Sequence, residues 1–344
     1  MAQNGLHLGL VGVGRIGAFH AQTLRETEHV VRLTLADADA QRARAVATEL
    51  GVDAAESPEA LLDLDVDGLV IATSTPGHVP LLRLAARAAL PAFCEKPVAL
   101  ELAPLDGLID EVERAGILVQ IGFQRRFDAG YRAARDAVAG GVLGELLTLR
   151  AATHDRTPPS EAYIASSGGI FRDLHIHDFD AIRFVTGREV VEVYADGAVR
   201  ATAFFADHGD VDAAAVVLRL EGGPLAVLTG ARLDPLGYDV RLEVFGTDDS
   251  IAVGDDRRTP LRSVEPGGAG PSPDGYHDFL DRFGAAYRSE LEAFVTTLCE
   301  GGPSLCPLAE ARAALAVALA ADRSRAERRP VSIEEVASAQ AVAG

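Results

Sequence analysis

Residues 6–24 read Leu6-His-Leu-Gly-Leu-Val-Gly12-Val-Gly14-Arg-Ile-Gly17-Ala-Phe-His20-Ala-Gln-Thr-Leu24. The first eight are a short apolar run, the pattern of a buried strand. The run breaks into Gly12-Val-Gly14-Arg-Ile-Gly17 and then continues with helical character. The three glycines have separate tasks: Gly12 allows the tight turn, Gly14 lets the backbone approach a pyrophosphate, and Gly17 lets the helix pack close. Arg15 and Ile16 share that turn and join the glycines as cofactor-binding candidates. A phosphate placed there meets the unpaired N–H groups of a helix N-terminus.

Residues 30–35 read as a second apolar strand that ends at Asp37. An acid about 20 residues beyond the fingerprint is what the motif expects. Its carboxylate accepts hydrogen bonds from the adenosine ribose and repels a 2′-phosphate, which selects NAD over NADP. The same acid alone could be an ordinary helix N-cap. Arg42 and Arg44 on the next helix leave some use of NADP open. Helices over 38–50 and 79–89, a short helix capped by Ser57-Pro58, and strands over 68–72, 92–94 and 117–121 follow. Strands separated by helices give a parallel, doubly wound sheet. Ligands bind beyond the carboxyl ends of such strands. Gly12, Asp37, Thr73, Glu95 and Gly122 all lie there, and Gly12, Asp37, Thr73, Ser74, His78, Glu95 and Lys96 are cofactor-binding candidates. Lys96, in Glu95-Lys96-Pro97, can also reach a substrate hydroxyl, although most loop lysines are only solvated.

Composition bounds the rest. The chain has 344 residues, 48% hydrophobic and 24% charged, enough for two globular domains. A net charge of −19 argues against a nucleic-acid or anionic-membrane partner. No apolar run approaches the ~20 residues of a membrane span. Cys94, Cys299 and Cys306 show no metal-ligand spacing, and a Cys299–Cys306 disulfide is unsupported. Few cysteines, and no basic-then-apolar leader after Met1, fit a cytoplasmic protein.

The second half changes grammar. After Phe123-Gln-Arg-Arg-Phe-Asp128 and a helix over 129–139, residues 146–152, 190–199, 211–220, 225–231, 238–245 and 251–253 read as strands. Most follow one another without helices, so the sheet is largely antiparallel. One face packs on a helix, and the open apolar face suits a homo-oligomer. Residues 264–275 read as a loop, and 276–299 and 310–325 as helices. Within this half, Gly168-Gly-Ile-Phe-Arg-Asp173-Leu-His175-Ile-His177-Asp-Phe-Asp180 concentrates ionisable groups. If Asp173 to Arg183 is helical, Asp173 and His177 share a face and the carboxylate can hold the imidazole. A surface helix with incidental histidines is the plainer alternative.

The fingerprint, Glu95-Lys-Pro97, Gly122-Phe-Gln-Arg-Arg-Phe-Asp128 and the 168–180 stretch, in this order, resemble the Gfo/Idh/MocA oxidoreductases over nearly the whole chain. The resemblance implies an α/β subunit: a Rossmann dinucleotide-binding domain, 1–122, and an α+β domain, 123–344, with a large, mostly antiparallel open sheet. It implies a homotetramer assembled through the open sheet faces. It implies that Lys96, Asp173 and His177 are catalytic, and that Arg126, His154 and Tyr238 also contact a polyol. Where the members of that family that act on polyols usually have a small residue, often Thr, this chain has His175. Two residues from either member of the pair, His175 should point to another side of the helix and spare catalysis.

The reaction expected is NAD-dependent oxidation of a secondary alcohol of a cyclitol, an inositol, to the inosose, with no metal. A neutral imidazole titrates near working pH, so His177 is the base. Asp173 orients it, and Lys96 stabilises the developing alkoxide. An aldopyranose is an alternative substrate. A non-catalytic NAD-binding protein is an alternative from another class. A metal-dependent hydrolase or lyase built on Asp173, His175, His177 and Asp178 is a third, disfavoured because the four do not share one face.

Overall fold

In the computed structural model, which describes residues 5–268, 270 and 272–341, the chain divides into two units. The first four residues, read above for a leader, lie outside the described residues, as do Ala269 and Pro271 of the 264–275 loop.

The first unit comprises residues up to Gln124 together with 285–312. Its elements are β1 (Leu6–Val11), α1 (Arg15–Glu26), β2 (Val30–Ala36), α2 (Ala40–Leu50), β3 (Asp53–Ala54), α3 (Pro58–Leu62), β4 (Gly68–Ile71), α4 (His78–Arg87), β5 (Ala92–Glu95), α5 (Leu102–Ala115) and β6 (Val119–Gly122). The strands form one parallel sheet in the order β3-β2-β1-β4-β5-β6. β4, β5 and β6 are buried along their whole length; β4 reads as an unbroken apolar run, while β5 ends in Glu95 and β6 carries Gln120, whose side-chain amide donates to the Glu290 carbonyl at 2.7 Å. Local signals set the helix ends. Asp39 accepts from the amides of Gln41 and Arg42 at the start of α2, and Ser57 accepts from Ala60 at the start of α3. The N-cap duty considered for Asp37 therefore falls to Asp39.

The return of 285–312 to the first unit departs from the sequence boundary at 122/123. Leu291, Phe294 and Val295 complete the core around Leu8, Leu10, Leu24, Val70 and Phe93. An amphipathic helix does not announce which core it will fill, so local pattern could not place this one.

The second unit comprises 125–284 and the chain from 313 onward. It contains α6 (Ala129–Ala139), β7 (Leu146–His154), α7 (Glu161–Ser167), α8 (Ile176–Thr186), β8 (Val190–Ala198), α9 (Phe204–Asp207), β9 (Ala213–Leu220), β10 (Leu225–Ala231), β11 (Asp239–Gly246) and β12 (Ser250–Val253). Two long helices, α10 (Phe279–Glu300) and α11 (Leu308–Glu327), pass from one unit's residues to the other's, and β13 (Val331–Ser332) and α12 (Ile333–Ala341) close the chain. The seven-stranded sheet runs β12-β11-β7-β10-β9-β8-β13; only its β7–β10 pairing is parallel. β9 alternates, with Ala214, Val216, Leu218 and Leu220 buried while Val217 is exposed. One sheet face is thus core and the other open.

Cys94, Cys299 and Cys306 are all free thiols. Among the described residues no helix is long and apolar enough to cross a membrane.

Candidate active site

The first unit carries the expected nucleotide-binding elements. Gly12 adopts φ +95°, and a Cβ there would sit 2.6 Å from the Ala72 carbonyl oxygen. A Cβ on Gly17 would land on the Gly12 carbonyl oxygen. Gly14 differs: a Cβ there would meet nothing within 4 Å. That open space adjoins the N-terminus of α1, where Gly14 caps without a side chain. This is the concavity in which a pyrophosphate can reach backbone N–H groups. Arg15 is exposed and Ile16 half-buried at its rim.

Asp37 is buried at the end of β2 and ties the loop down. One carboxylate oxygen accepts from the Val13 amide at 2.8 Å, the other from the Asp39 amide at 2.9 Å. Each oxygen keeps a further lone pair for a ribose hydroxyl. The Arg42 guanidinium approaches Asp37 to 3.7 Å, while Arg44 pairs with Glu56.

After β4, Thr73 is half-buried and Ser74 exposed, as suits residues that border a ligand. His78 is placed differently from the sequence expectation. It is buried, with Nδ1 2.8 Å from the Pro97 carbonyl oxygen and Nε2 2.9 Å from that of Thr73. Burial pushes its pKa down, against the pull of the two carbonyls and Glu95. A neutral imidazole carries one N–H and satisfies one carbonyl at a time. His78 therefore links the loop after β4 to the loop bearing Lys96. Glu95 also turns inward: Oε1 lies 2.7 Å from His20 Nε2, and Oε2 accepts from the Lys96 amide at 3.3 Å. Behind it, Glu290 is fully buried, and desolvation and the Glu95 charge raise its pKa well above the usual carboxylate range. Lys96 is half-buried at the end of this stretch.

In the second unit, α7 ends at Gly168, and a π-helical turn over Phe171–His175 leads into α8. Such turns recur at functional sites. Here the turn carries Asp173 into the interior. The Tyr163 hydroxyl donates to Asp173 Oδ1 at 2.7 Å, and the Arg232 guanidinium donates to Oδ2 at 2.8 Å. Arg232 also donates to Asp155 at 3.0 Å. His177 stands four residues beyond Asp173, in the first turn of α8.

His175 does turn to another side, and that side is deep core. Its ring lies between Phe171 and Phe179, with centroid separations of 6.0 and 5.9 Å. Nδ1 lies 2.8 Å from Asp178, which also accepts from Arg125 and from Thr153. His175 and Asp178 thus serve a buried network rather than the metal set of the hydrolase alternative. Two other groups bring three potential ligand atoms within 4.8 Å: His20, Glu95 and Glu290, and His154, Asp234 and Asp239. In the first, His20 and Glu95 are already hydrogen-bonded to each other.

The three further polyol candidates separate. Arg126 is buried and clamps Asp180 with two nitrogens. His154, at the end of β7, is partly exposed, 3.7 Å from Asp234 and 3.4 Å from the Thr229 hydroxyl. Tyr238 is buried just before β11, and burial raises its pKa, with Arg125 opposing and Asp155 and Asp178 reinforcing the rise. His154 and Tyr238 therefore border Asp155 and the Asp173 cluster, whereas Arg126 belongs to a structural pair on α8. Sequence reasoning missed Tyr163 and Arg232. Arg232 had a faint signal, a cation directly after an apolar strand; Tyr163 lay in a segment without periodicity.

Residues 6–123 match the oxidoreductase family with the NAD-binding Rossmann fold, and residues 131–252 match the GFO/IDH/MocA C-terminal domain. The chain belongs to the Gfo/Idh/MocA oxidoreductase family. It is 37% identical to myo-inositol 2-dehydrogenase of Thermotoga maritima, over 96% of this chain and 99% of that one. The crystal structure of a myo-inositol dehydrogenase from Corynebacterium glutamicum superposes with a TM-score of 0.87 at 33% identity, covering 95% of this chain and 98% of the other. A scyllo-inositol dehydrogenase from Lactobacillus casei, solved with NAD(H) and scyllo-inositol, gives a TM-score of 0.86 at 26% identity, with 96% and 99% covered. Family membership makes the first unit an NAD-binding Rossmann fold.

Proposed function

We propose that this oxidoreductase oxidises a secondary alcohol of a cyclitol, myo-inositol or a related inositol, to the inosose with NAD. The observation that carries this reading is the joint presence of Lys96 and the Asp173–His177 pair in a chain aligned end to end with inositol dehydrogenases. NAD, when bound, supplies the hydride acceptor. Gly12, Gly14, Arg15, Ile16 and Gly17 hold its phosphates, Asp37 its ribose, and Thr73 and Ser74 border it. His78 and Glu95 act through the backbone that carries Lys96.

The protein's own work is the proton. His177 withdraws it from the reacting hydroxyl, and Asp173 fixes the tautomer and favours the imidazolium that results. Lys96 donates to the same oxygen and stabilises its developing negative charge. His154 and Tyr238 contact the remaining hydroxyls; the clamp on Asp180 makes Arg126 a support for α8. The protein works in the cytoplasm; its cofactor region is the chain up to about 122/123 joined by the returning 285–312 segment, and its substrate region is the rest.

The direct test follows NADH absorbance with myo-, scyllo- and chiro-inositol and a set of aldopyranoses, each with NAD and with NADP. Turnover of an inositol with NAD, exceeding that of any aldose, is the expected result. Asp37→Ser should weaken NAD use and narrow the gap to NADP. Equal use of NADP by the unaltered protein would refute the role given to Asp37.

The open sheet face supports a homotetramer. A row across it runs Tyr194, Val217, Val227, Arg150 and Glu243 in paired register, with Tyr194, Val217 and Val227 exposed. Leu147 is exposed on β7 as well. Light scattering at micromolar concentration should give four times the 36.1 kDa chain mass; a species of one chain would contradict the assembly.

A further inference from the structure

The contacts of Asp173 differ from those of a lone carboxylate behind an imidazole. Arg232 is 3% exposed, and its guanidinium reaches Asp173 and Asp155 together. Its backbone N–H donates a hydrogen bond to the Asp212 carbonyl at 2.8 Å. Asp155 is fixed in turn, its amide donating to the Ala231 carbonyl at 2.8 Å. Among the described residues, the charged and titratable groups that face Asp173 include Tyr163 from α7, Arg232 just beyond β10 and, through Arg232, Asp155 just beyond β7; His177 follows four residues on, in α8. Tyr238 lies within electrostatic reach of Asp155.

We propose that Arg232 is a positioning residue of this site: with the Tyr163 hydroxyl it holds the Asp173 carboxylate in one orientation and offsets its charge, so that His177 becomes a neutral base at lower pH than a bare Asp173 would permit. A carboxylate beside an imidazole favours the protonated ring, and a guanidinium on that carboxylate weakens the effect. The two donors have a second consequence. They confine the Asp173 carboxylate to one orientation, which is what a group that positions an imidazole needs. The burial of Arg232 makes its charge effective, because solvent does not screen it.

This inference rests on His177 being the base, and the experiment keeps the two apart. The pH dependence of kcat/KM for inositol oxidation is measured for the unaltered protein and for His177→Gln, Arg232→Met, Arg232→Lys and Tyr163→Phe. Oxidation needs a deprotonated base, so the rate rises with pH through the base's titration. In Arg232→Met the midpoint should move up by about one pH unit, a tenfold gain in proton affinity. Arg232→Lys should move it less, since the charge remains, and Tyr163→Phe by a fraction of a unit. KM for NAD should stay within about twofold in all of them, since the nucleotide-binding residues lie in the other unit. Should Arg232→Met fail to fold, Tyr163→Phe and Arg232→Lys still decide. A midpoint unchanged in every folded Arg232 and Tyr163 variant, but abolished in His177→Gln, overturns the role of Arg232 and leaves the base in place. A midpoint retained in His177→Gln shows instead that the base was misassigned, and the inference falls with it.

Discussion

His177→Ala should lower kcat for alcohol oxidation by a factor of about 10²–10⁴, the usual worth of a positioned acid–base group. Its dissociation constant for NAD, read by fluorescence titration, should stay nearly unchanged, because the fingerprint and Asp37 lie in the first unit. The residual rate should lose the rise with pH that the unaltered protein shows through the imidazole range, about 6.5 for a free side chain. With Asp173 beside the base that rise should lie higher, and if Arg232 acts as proposed above it should limit the displacement. The informative control is His175→Ala in the same assay with saturating NAD. That ring is buried between two phenylalanines and hydrogen-bonded to Asp178, so its loss should lower stability more than rate. An active His177→Ala beside an inactive but folded His175→Ala would mean that the wrong histidine carries the proton.

The choice between these histidines shows where sequence stops being legible. Spacing alone put Asp173 and His177 on one face and sent His175 elsewhere. The π-helical turn over Phe171–His175 and the crowding at Gly230, where a Cβ would overlap the His175 ring, are tertiary facts without a local sequence signal. The parallel sheet was legible because its strands are apolar runs punctuated by glycine and caps. The second sheet was legible because β9 and β10 alternate with period two and turn at Gly222-Gly223. The return of 285–312 to the first core was not, since any apolar core accepts an amphipathic face. Among site residues, the tight turn at Gly12, the close packing at Gly17 and the place of Asp37 at the end of β2 could be read from motif spacing. The partners of Asp173 could not, because Tyr163 and Arg232 come from 10 and 59 residues away. His78 illustrates the converse: it falls at the right strand end, yet both ring nitrogens face backbone carbonyls.

Asp178→Asn should destabilise the second unit by about 3–5 kcal/mol, the usual result of leaving one member of a buried ion pair uncompensated. Arg125 and Asp178 are both fully buried, their charged atoms 2.5 Å apart, and no solvent can take over from the lost carboxylate. The Arg125 ring contacts, 5.9 Å to Tyr131 and 5.8 Å to Phe283, are too weak to replace it. Burial alone would raise the Asp178 pKa, but the Arg125 charge and the hydrogen bonds from His175 and Thr153 outweigh it and hold it at about 2. A depressed carboxylate pKa contributes stability that is present above the unfolded value, near 4, and lost as pH falls through the folded one. In urea titrations the unaltered protein should therefore lose this contribution progressively between about pH 4 and pH 2, and Asp178→Asn should lack that part of the slope. Replacing the pair together, Arg125→Met with Asp178→Leu, should recover much of the loss, because apolar groups of similar volume leave no charge buried alone. The recovery should be incomplete, since Thr153 and His175 lose an acceptor. A double variant no more stable than Asp178→Asn would assign the loss to packing under α8 and not to the stranded guanidinium.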